Sequence, residues 1–486
     1  MTFEQWKIHE PAFNPSSEAE PRGAGRLSVP GGGGCGPGRP RMNRFLRAIF
    51  WVLATLLGVF GVLIAWELHT AGLPVLRART FWAALAGGAF FAVAAARFSA
   101  RAKFKVFLPL LAFGLVEALL QALGWLGLLP AVNTKERLPW GRVYWTAEGQ
   151  GNSVRNRYGW YCPEFDPEPT NRIAVIGDSF VEAVEVHRTR GMSAVLQGRL
   201  RAAGPSCSVL ALGDHGRGPA QYLEILKYAQ HHFAIREAIL VVYLGNDITD
   251  CAPRLQVHDP AEHIYYTLAT NGMAVLEPAG ERTRANYERR LESLHRPAWL
   301  FLPRLAVSHC LCVQLPMSVQ RTLALRKRIR QEAERSPGPE TQLAKLGLKA
   351  GPFAVNPPPE AREGVQIMNS LLEQSAALAR THDIQLRIVV VPFFPPEFYA
   401  QPGPEWTARL GEYDFLGPER ELAAWAARRQ IPFLGLGERM RVQRLTPGDI
   451  RALYLSQGSG HFSEAGHRFA AKAMQDAFYP AVPTGQ

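Results

Sequence analysis

Ile173-Ala-Val-Ile-Gly-Asp-Ser-Phe180 decides how this chain is read. A short apolar, β-branched run ends in Gly177-Asp178-Ser179. That pattern predicts a buried parallel strand delivering a serine into the turn at its carboxyl end, where open α/β sheets bind ligands. A nucleophilic serine needs a base, a group that orients the base, and donors for a developing oxyanion. Alone, Gly-Asp-Ser is equally the N-cap of an ordinary helix.

Working outward, runs of strand character recur at 172–177, 207–212, 238–244, 386–392 and 432–436. Helix-like stretches lie between and after them, at 189–203, 219–232, 364–381, 417–429 and 463–478. Such alternation predicts a parallel sheet covered by helices. The rhythm breaks over 251–363, which reads as an insertion at the top of the sheet. It holds a hairpin signal around Asn271-Gly272, an Arg-rich helical stretch near 317–335 and a Pro-rich exit at 352–359. The soluble domain is thus expected in two parts, 172–250 and 364–480, around that cap. No internal repeat is present.

Three strand ends carry chemistry. After Ser179 comes Val209-Leu-Ala-Leu-Gly213-Asp-His-Gly216-Arg-Gly218-Pro-Ala-Gln221, a Gly-rich turn whose backbone N–H could face an oxyanion. Next, Ala238–Leu244 leads into Gly245-Asn246-Asp247, where the Asn amide could do the same or could brace the loop. Near the C-terminus, Ser459-Gly460-His461-Phe-Ser-Glu-Ala-Gly466-His467 puts His461 just before a helix opened by Ser463, with His467 inside that helix. A loop histidine is the better base, because a helix-interior histidine more often packs.

Ser179, Gly216, Asn246 and His461, in that order, resemble the SGNH/GDSL hydrolase superfamily, in the form common among membrane-tethered bacterial members. The resemblance covers roughly 172–250 and 380–478. It implies a three-layer α/β/α flavodoxin-like sheet and ester hydrolysis or acyl transfer. Ser179 would be nucleophile and His461 general base. The N–H groups of Ser179 and Gly216 and the Asn246 side chain would be oxyanion donors, with Asp178 and Asp247 in supporting roles. The family's orienting acid stands two or three residues before the histidine, and here those positions are Ser459 and Gly458. Three readings stay open: a Ser–His dyad held by a backbone carbonyl, an acid from elsewhere such as Asp449, or a degraded site acting as a binding module.

The remainder of the chain predicts a membrane protein. Residues 1–41, rich in Gly, Pro, Ser and charge, are expected to be disordered, and Met42 reads as a natural translation start. Region 42–132 holds three apolar runs: Ala48–Trp66, Phe81–Ala96 and Val106–Val132, the last interrupted by Glu117 and Gln121. Arg41, Arg44 and Arg47, and the basic loop 97–105, place the N-terminus and that loop in the cytoplasm. Three crossings then put the soluble domain outside, on the periplasmic side of the inner membrane. Were the second run only to dip into the bilayer, that domain would return inside. Glu117 and Gln121 share a helical face, which suits either function or a polar contact between helices. Residues 133–171 read as a linker.

The formal net charge of +12 comes without a basic block interleaved with aromatics, so no nucleic-acid partner is expected. Six scattered cysteines make no CxxC pair and no zinc spacing, so neither a metal nor an organic cofactor is expected. The expected partners are the lipid bilayer and an acylated glycan or lipid substrate.

Overall fold

The structure is a computed structural model that describes residues 39–70, 79–125, 137–145, 149, 151–166, 171–204, 207–255, 263–278, 280–316, 351–393, 413–455 and 460–480. The N-terminal extension before residue 39, the Arg-rich stretch 317–335, and Gly458 and Ser459 therefore lie outside the described residues.

Three long helices come first: α1 (Arg39–Thr70), α2 (Arg79–Arg97) and α3 (Ala100–Trp125). Two of them, over Arg41–Trp66 and Ala100–Gly124, are long and apolar enough to cross a membrane. Both carry rows of outward-facing large apolar side chains: Val52, Leu56, Val59 and Val62 on α1, and Leu108, Phe113, Leu115 and Leu119 on α3 are all more than half or nearly half exposed. A soluble core helix would bury that surface. Helix α2 packs against α1 through small residues. A Cβ on Gly87 would stand 3.1 Å from Leu57, and one on Gly61 3.3 Å from Leu85. Close approach of this kind is how helices associate where lipid surrounds them.

Two antiparallel strands come next, β1 (Arg142–Trp145) and β2 (Gly151–Val154). The stretch expected to be a linker is, in its described parts, packed into the domain instead. Trp160, Tyr161 and Cys162 are buried, and so are the charged side chains of Arg137 and Arg155. Polar and aromatic content gives it a solvated look, whereas its arginines are neutralised by buried carboxylates.

The sheet is parallel throughout, in the order β4-β3-β5-β8-β9. Its strands are β3 (Asn171–Gly177), β4 (Cys207–Gly213), β5 (Glu237–Tyr243), β8 (Gln385–Val391) and β9 (Phe433–Gly435). The hairpin β6 (Tyr266–Leu268) with β7 (Ala274–Leu276) forms at Asn271-Gly272. Near-continuous burial along β3, β4 and β5 is what helices on both faces of a parallel sheet produce. Every strand expected from the sequence is present within one or two residues. The expected helices are present too, as α5 (Met192–Ala203), α6 (Pro219–Phe233), Pro359–Thr381, Gly417–Arg428 and Glu464–Phe478.

Strand β3 lies one in from the β4 edge of the sheet, between β4 and β5, and both of these neighbours end beside it. Gly177 registers with Gly213 of β4 on one side and Val241 of β5 on the other. The loops after all three strands therefore open on the same end of the sheet. At Gly213 the chain passes so close to the turn behind Ser179 that a Cβ would lie 2.0 Å from the Glu182 backbone nitrogen.

Candidate active site

Ser179 opens a single helical turn, α4 (Ser179–Glu182), directly after β3. Asp178 caps that turn, its Oδ1 accepting the Phe180 N–H at 2.9 Å. The capping role open to this aspartate is thus real, and it fixes the serine where the strand ends. His461 arrives from the far end of the chain. The bridge Tyr454↔Phe462 and the Leu455 N–H to His461 carbonyl bond of 2.9 Å hold its backbone. Ser463 then caps Glu464–Phe478 by accepting the Gly466 N–H at 3.3 Å. These constraints bring His461 Nε2 to 2.8 Å from Ser179 Oγ.

A carboxylate does stand beside the His461 ring, and it is not that of Asp449. Glu185 Oε1 stands 3.3 Å from His461 Nδ1, on the side of the ring away from the serine, with its side chain 1% exposed. Glu185 follows α4 by three residues. Ala183 ends that turn in the left-handed conformation, with φ 54°. The reversal at Ala183 lets the next residues fold back toward the imidazole. Asp449 instead forms a capping box with Thr446 at the surface, accepting the Thr446 N–H at 2.9 Å and its hydroxyl at 2.6 Å. Sequence reading misses Glu185 because it sits six residues after the serine, far from the two positions before His461 where the family keeps its acid. A signal is present in the sequence nonetheless. Glu182 and Glu185 both fall inside the apolar surroundings of Phe180, Val181, Val184 and Val186, where a carboxylate needs a partner.

The two expected oxyanion donors sit on the loops flanking β3. Gly216 adopts φ 65° and meets nothing within 4 Å where a side chain would project, so its loop faces open space. The preceding residue, His215, brings its ring centroid to 5.7 Å from that of His461. Asn246 is half-buried after β5 and precedes the single turn α7 (Asp247–Asp250). Its Nδ2 donates to Asp250 Oδ2 at 2.9 Å. This bond leaves the second amide hydrogen for another acceptor. Asp247 turns inward, accepting from the Tyr222 hydroxyl at 2.9 Å and the Tyr243 N–H at 2.9 Å. His467 lies within its helix, wholly buried, and burial pushes its ring down to about 3, so it packs as a neutral side chain.

Donor atoms of Glu185, His215 and His461 lie within 4.8 Å of one another.

Asp178 also carries a pH dependence. Burial pushes its carboxyl up to about 7, against the Phe180 N–H and the nearby His461 ring, with Asp250 repelling the charged form. Between its ordinary 3.8 and about 7, the folded chain holds a proton that the unfolded chain has released. Stability from this group therefore falls as pH rises through that window. Asp178→Asn keeps the cap acceptor and removes the titration. The variant's Tm in detergent is expected to fall less than wild type's between about pH 5 and 7, and parallel profiles would refute the assignment.

No protein-family model matches the sequence, and no curated protein matches it. Among solved structures, the chain is similar to the crystal structure of TesA, at 13% identity and a TM-score of 0.32, over 64% of this chain and 100% of that one. It is also similar to a member of the lipolytic protein G-D-S-L family from Veillonella parvula, at 11% identity and a TM-score of 0.28, over 64% of this chain and 98% of that one. Likenesses this slight carry no weight beside the geometry above.

Proposed function

We propose that this protein is a membrane-anchored serine esterase of the SGNH type. One observation carries the reading: Ser179 Oγ, His461 and Glu185 form a continuous line, at 2.8 Å and 3.3 Å, at the carboxyl end of a parallel sheet. Nucleophile, base and orienting acid are the parts that acyl transfer through serine requires.

In the proposed reaction His461 Nε2 takes the Ser179 proton as Oγ attacks the ester carbonyl. Glu185 holds Nδ1–H and stabilises the imidazolium that forms. Gly216 N–H and the free hydrogen of the Asn246 amide meet the oxyanion, and His461 returns the proton to the leaving alcohol. Water, or a hydroxyl acceptor in its place, then releases the acyl group. A buried carboxylate behind the histidine argues against a degraded binding module.

The membrane part of the proposal rests on the apolar surfaces of α1 and α3. Helix α2 has 19 residues, about 28 Å of helix, close to the hydrocarbon thickness of a bilayer. Three crossings with the basic segments Arg41–Arg47 and 97–105 inside would put the esterase domain outside the cytoplasm, facing acylated envelope glycan or lipid.

A fluorophosphonate ester tests the chemistry, because it phosphonylates only an activated serine. The full-length protein in detergent is expected to gain one adduct, on the peptide containing Ser179, and a heat-denatured sample none. Absence of that adduct from the folded protein would favour the binding-module reading.

A further inference from the structure

The insertion contains an apolar stretch that the esterase site does not use. It runs through a 3-10 turn (Ala298–Phe301), then a helix over Leu302–His309, and a second helical run over 311–316. The helix α8 (Gly280–Ser293) precedes it, so Leu302–His309 is α9. From Ala298 to Pro316 the only Lys, Arg, Asp or Glu is Arg304. Leu300, Phe301 and Leu311 are buried, whereas Leu302, Val307 and Val313 are 51%, 42% and 42% exposed.

This stretch is fastened to the apolar helices. The 3-10 turn and α9 pack on α1. Glu117, about two turns before the C-terminal end of α3, accepts the Leu311 N–H at 2.9 Å on one carboxylate oxygen and the Cys312 N–H at 2.8 Å on the other. Gln121 donates at 2.6 Å both to Glu117 and to the His309 carbonyl. Glu117 thus fills the first N–H groups of the 311–316 helix, where a negative charge is favoured. Of the two roles open to Glu117, the structure supports the polar contact, with the insertion as its partner.

Depth follows from where α3 meets each part of the domain. Arg142 of β1 donates to Gln121 Oε1 at 2.6 Å, and Asn152 of β2 donates to the Gly124 carbonyl at 3.4 Å. The body of the domain therefore reaches α3 at Gln121 and beyond. Residues 310–312 reach it at Glu117, one turn or about 6 Å further along the apolar helix. Amphipathic helices that lie in a bilayer interface sit about 5–10 Å deep.

We propose that residues 298–316 are a membrane-embedded interfacial element whose partner is the lipid bilayer, entered through Leu302, Val307 and Val313. The inference rests on α1 and α3 spanning that bilayer. It adds a second attachment, reached from α8, whose Tyr287 donates to Asp214 at 2.7 Å beside the Gly216 loop. Two attachments hold the esterase domain in one orientation at the lipid surface, where a single tether would let it tumble.

The test uses a diazirine amino acid placed singly at 302, 307 or 313 of the full chain in vesicles of phosphatidylcholine and phosphatidylglycerol. Leu115 on the exposed face of α3 serves as the lipid control, and Glu281 on the surface of α8 as the water control. After irradiation, mass spectrometry of the peptides is expected to find lipid adducts at 302, 307 and 313, as at 115, and none at 281. Lipid adducts at 115 with water quenching at 302, 307 and 313 would overturn the inference and leave the membrane span intact. Water quenching at 115 as well would overturn the span, and the inference with it.

Discussion

Replacing Glu185 with glutamine is expected to lower kcat on an activated acetyl ester by about 10⁴, with KM little changed, since an acid-to-amide change in a serine triad has that effect. The cause is the imidazole's tautomer. In the proposed triad the Glu185 carboxylate takes Nδ1–H, which leaves Nε2 unprotonated to receive the Ser179 proton across 2.8 Å. A glutamine can present its N–H2 to Nδ1 instead, and the ring then carries its proton on Nε2, where it cannot act as a base. The charge lost also removes stabilisation from the imidazolium that forms in the transition state. Glu185→Asp draws the carboxylate back by one methylene from a contact already at 3.3 Å, and it should retain part of the rate. Steady-state kinetics with 4-nitrophenyl acetate, beside Ser179→Ala as the floor, reads all three. Turnover by Glu185→Gln within a few-fold of wild type would return the site to a Ser–His dyad held by a backbone carbonyl.

That Glu185 is visible only in three dimensions says where sequence legibility stops. Apolar runs leading into a glycine mark β3, β4 and β5, because a strand buried on both faces is apolar nearly throughout. Ser179 and His461 are legible for the same reason, since each sits where an element pattern ends in a turn. An orienting acid is bound by no such pattern. It needs only to reach one ring nitrogen, and any loop at that end of the sheet can supply it. Here the left-handed turn at Ala183 brings Glu185 to that position from the same loop that carries Ser179. The stretch 137–160 is opaque for a related reason. Arg137 and Arg155 have the look of solvated charge until Asp214 and Glu182 are brought to them from elsewhere in the chain.

Those buried pairs carry the second large effect. Arg155→Met is expected to cost about 3–5 kcal/mol, because it strands the Glu182 carboxylate without its main partner. Arg155 Nη1 lies 2.8 Å from Glu182 Oε1, and the two side chains are 3% and 5% exposed. Burial alone would raise the Glu182 carboxyl. The Arg155 and Arg137 guanidiniums more than offset that and leave it below its ordinary value. A depressed carboxyl contributes stability above its unfolded range and loses it as pH falls, so the wild-type chain should lose this contribution in acid and the variant should have none to lose. The other Glu182 oxygen accepts the His215 N–H at 3.1 Å, one residue before Gly216. Stability and turnover can therefore be separated. In Arg155→Met/Glu182→Leu no charge is left unpaired, and the thermal midpoint should return most of the way to wild type. Turnover should not return, because His215 has lost the acceptor that fixes the Gly216 loop. Recovery of both would mean that Glu182 serves the fold alone. Recovery of neither would mean that the pair is worth more than two apolar side chains can replace. Thermal unfolding in detergent and ester turnover on the same three preparations tell these outcomes apart.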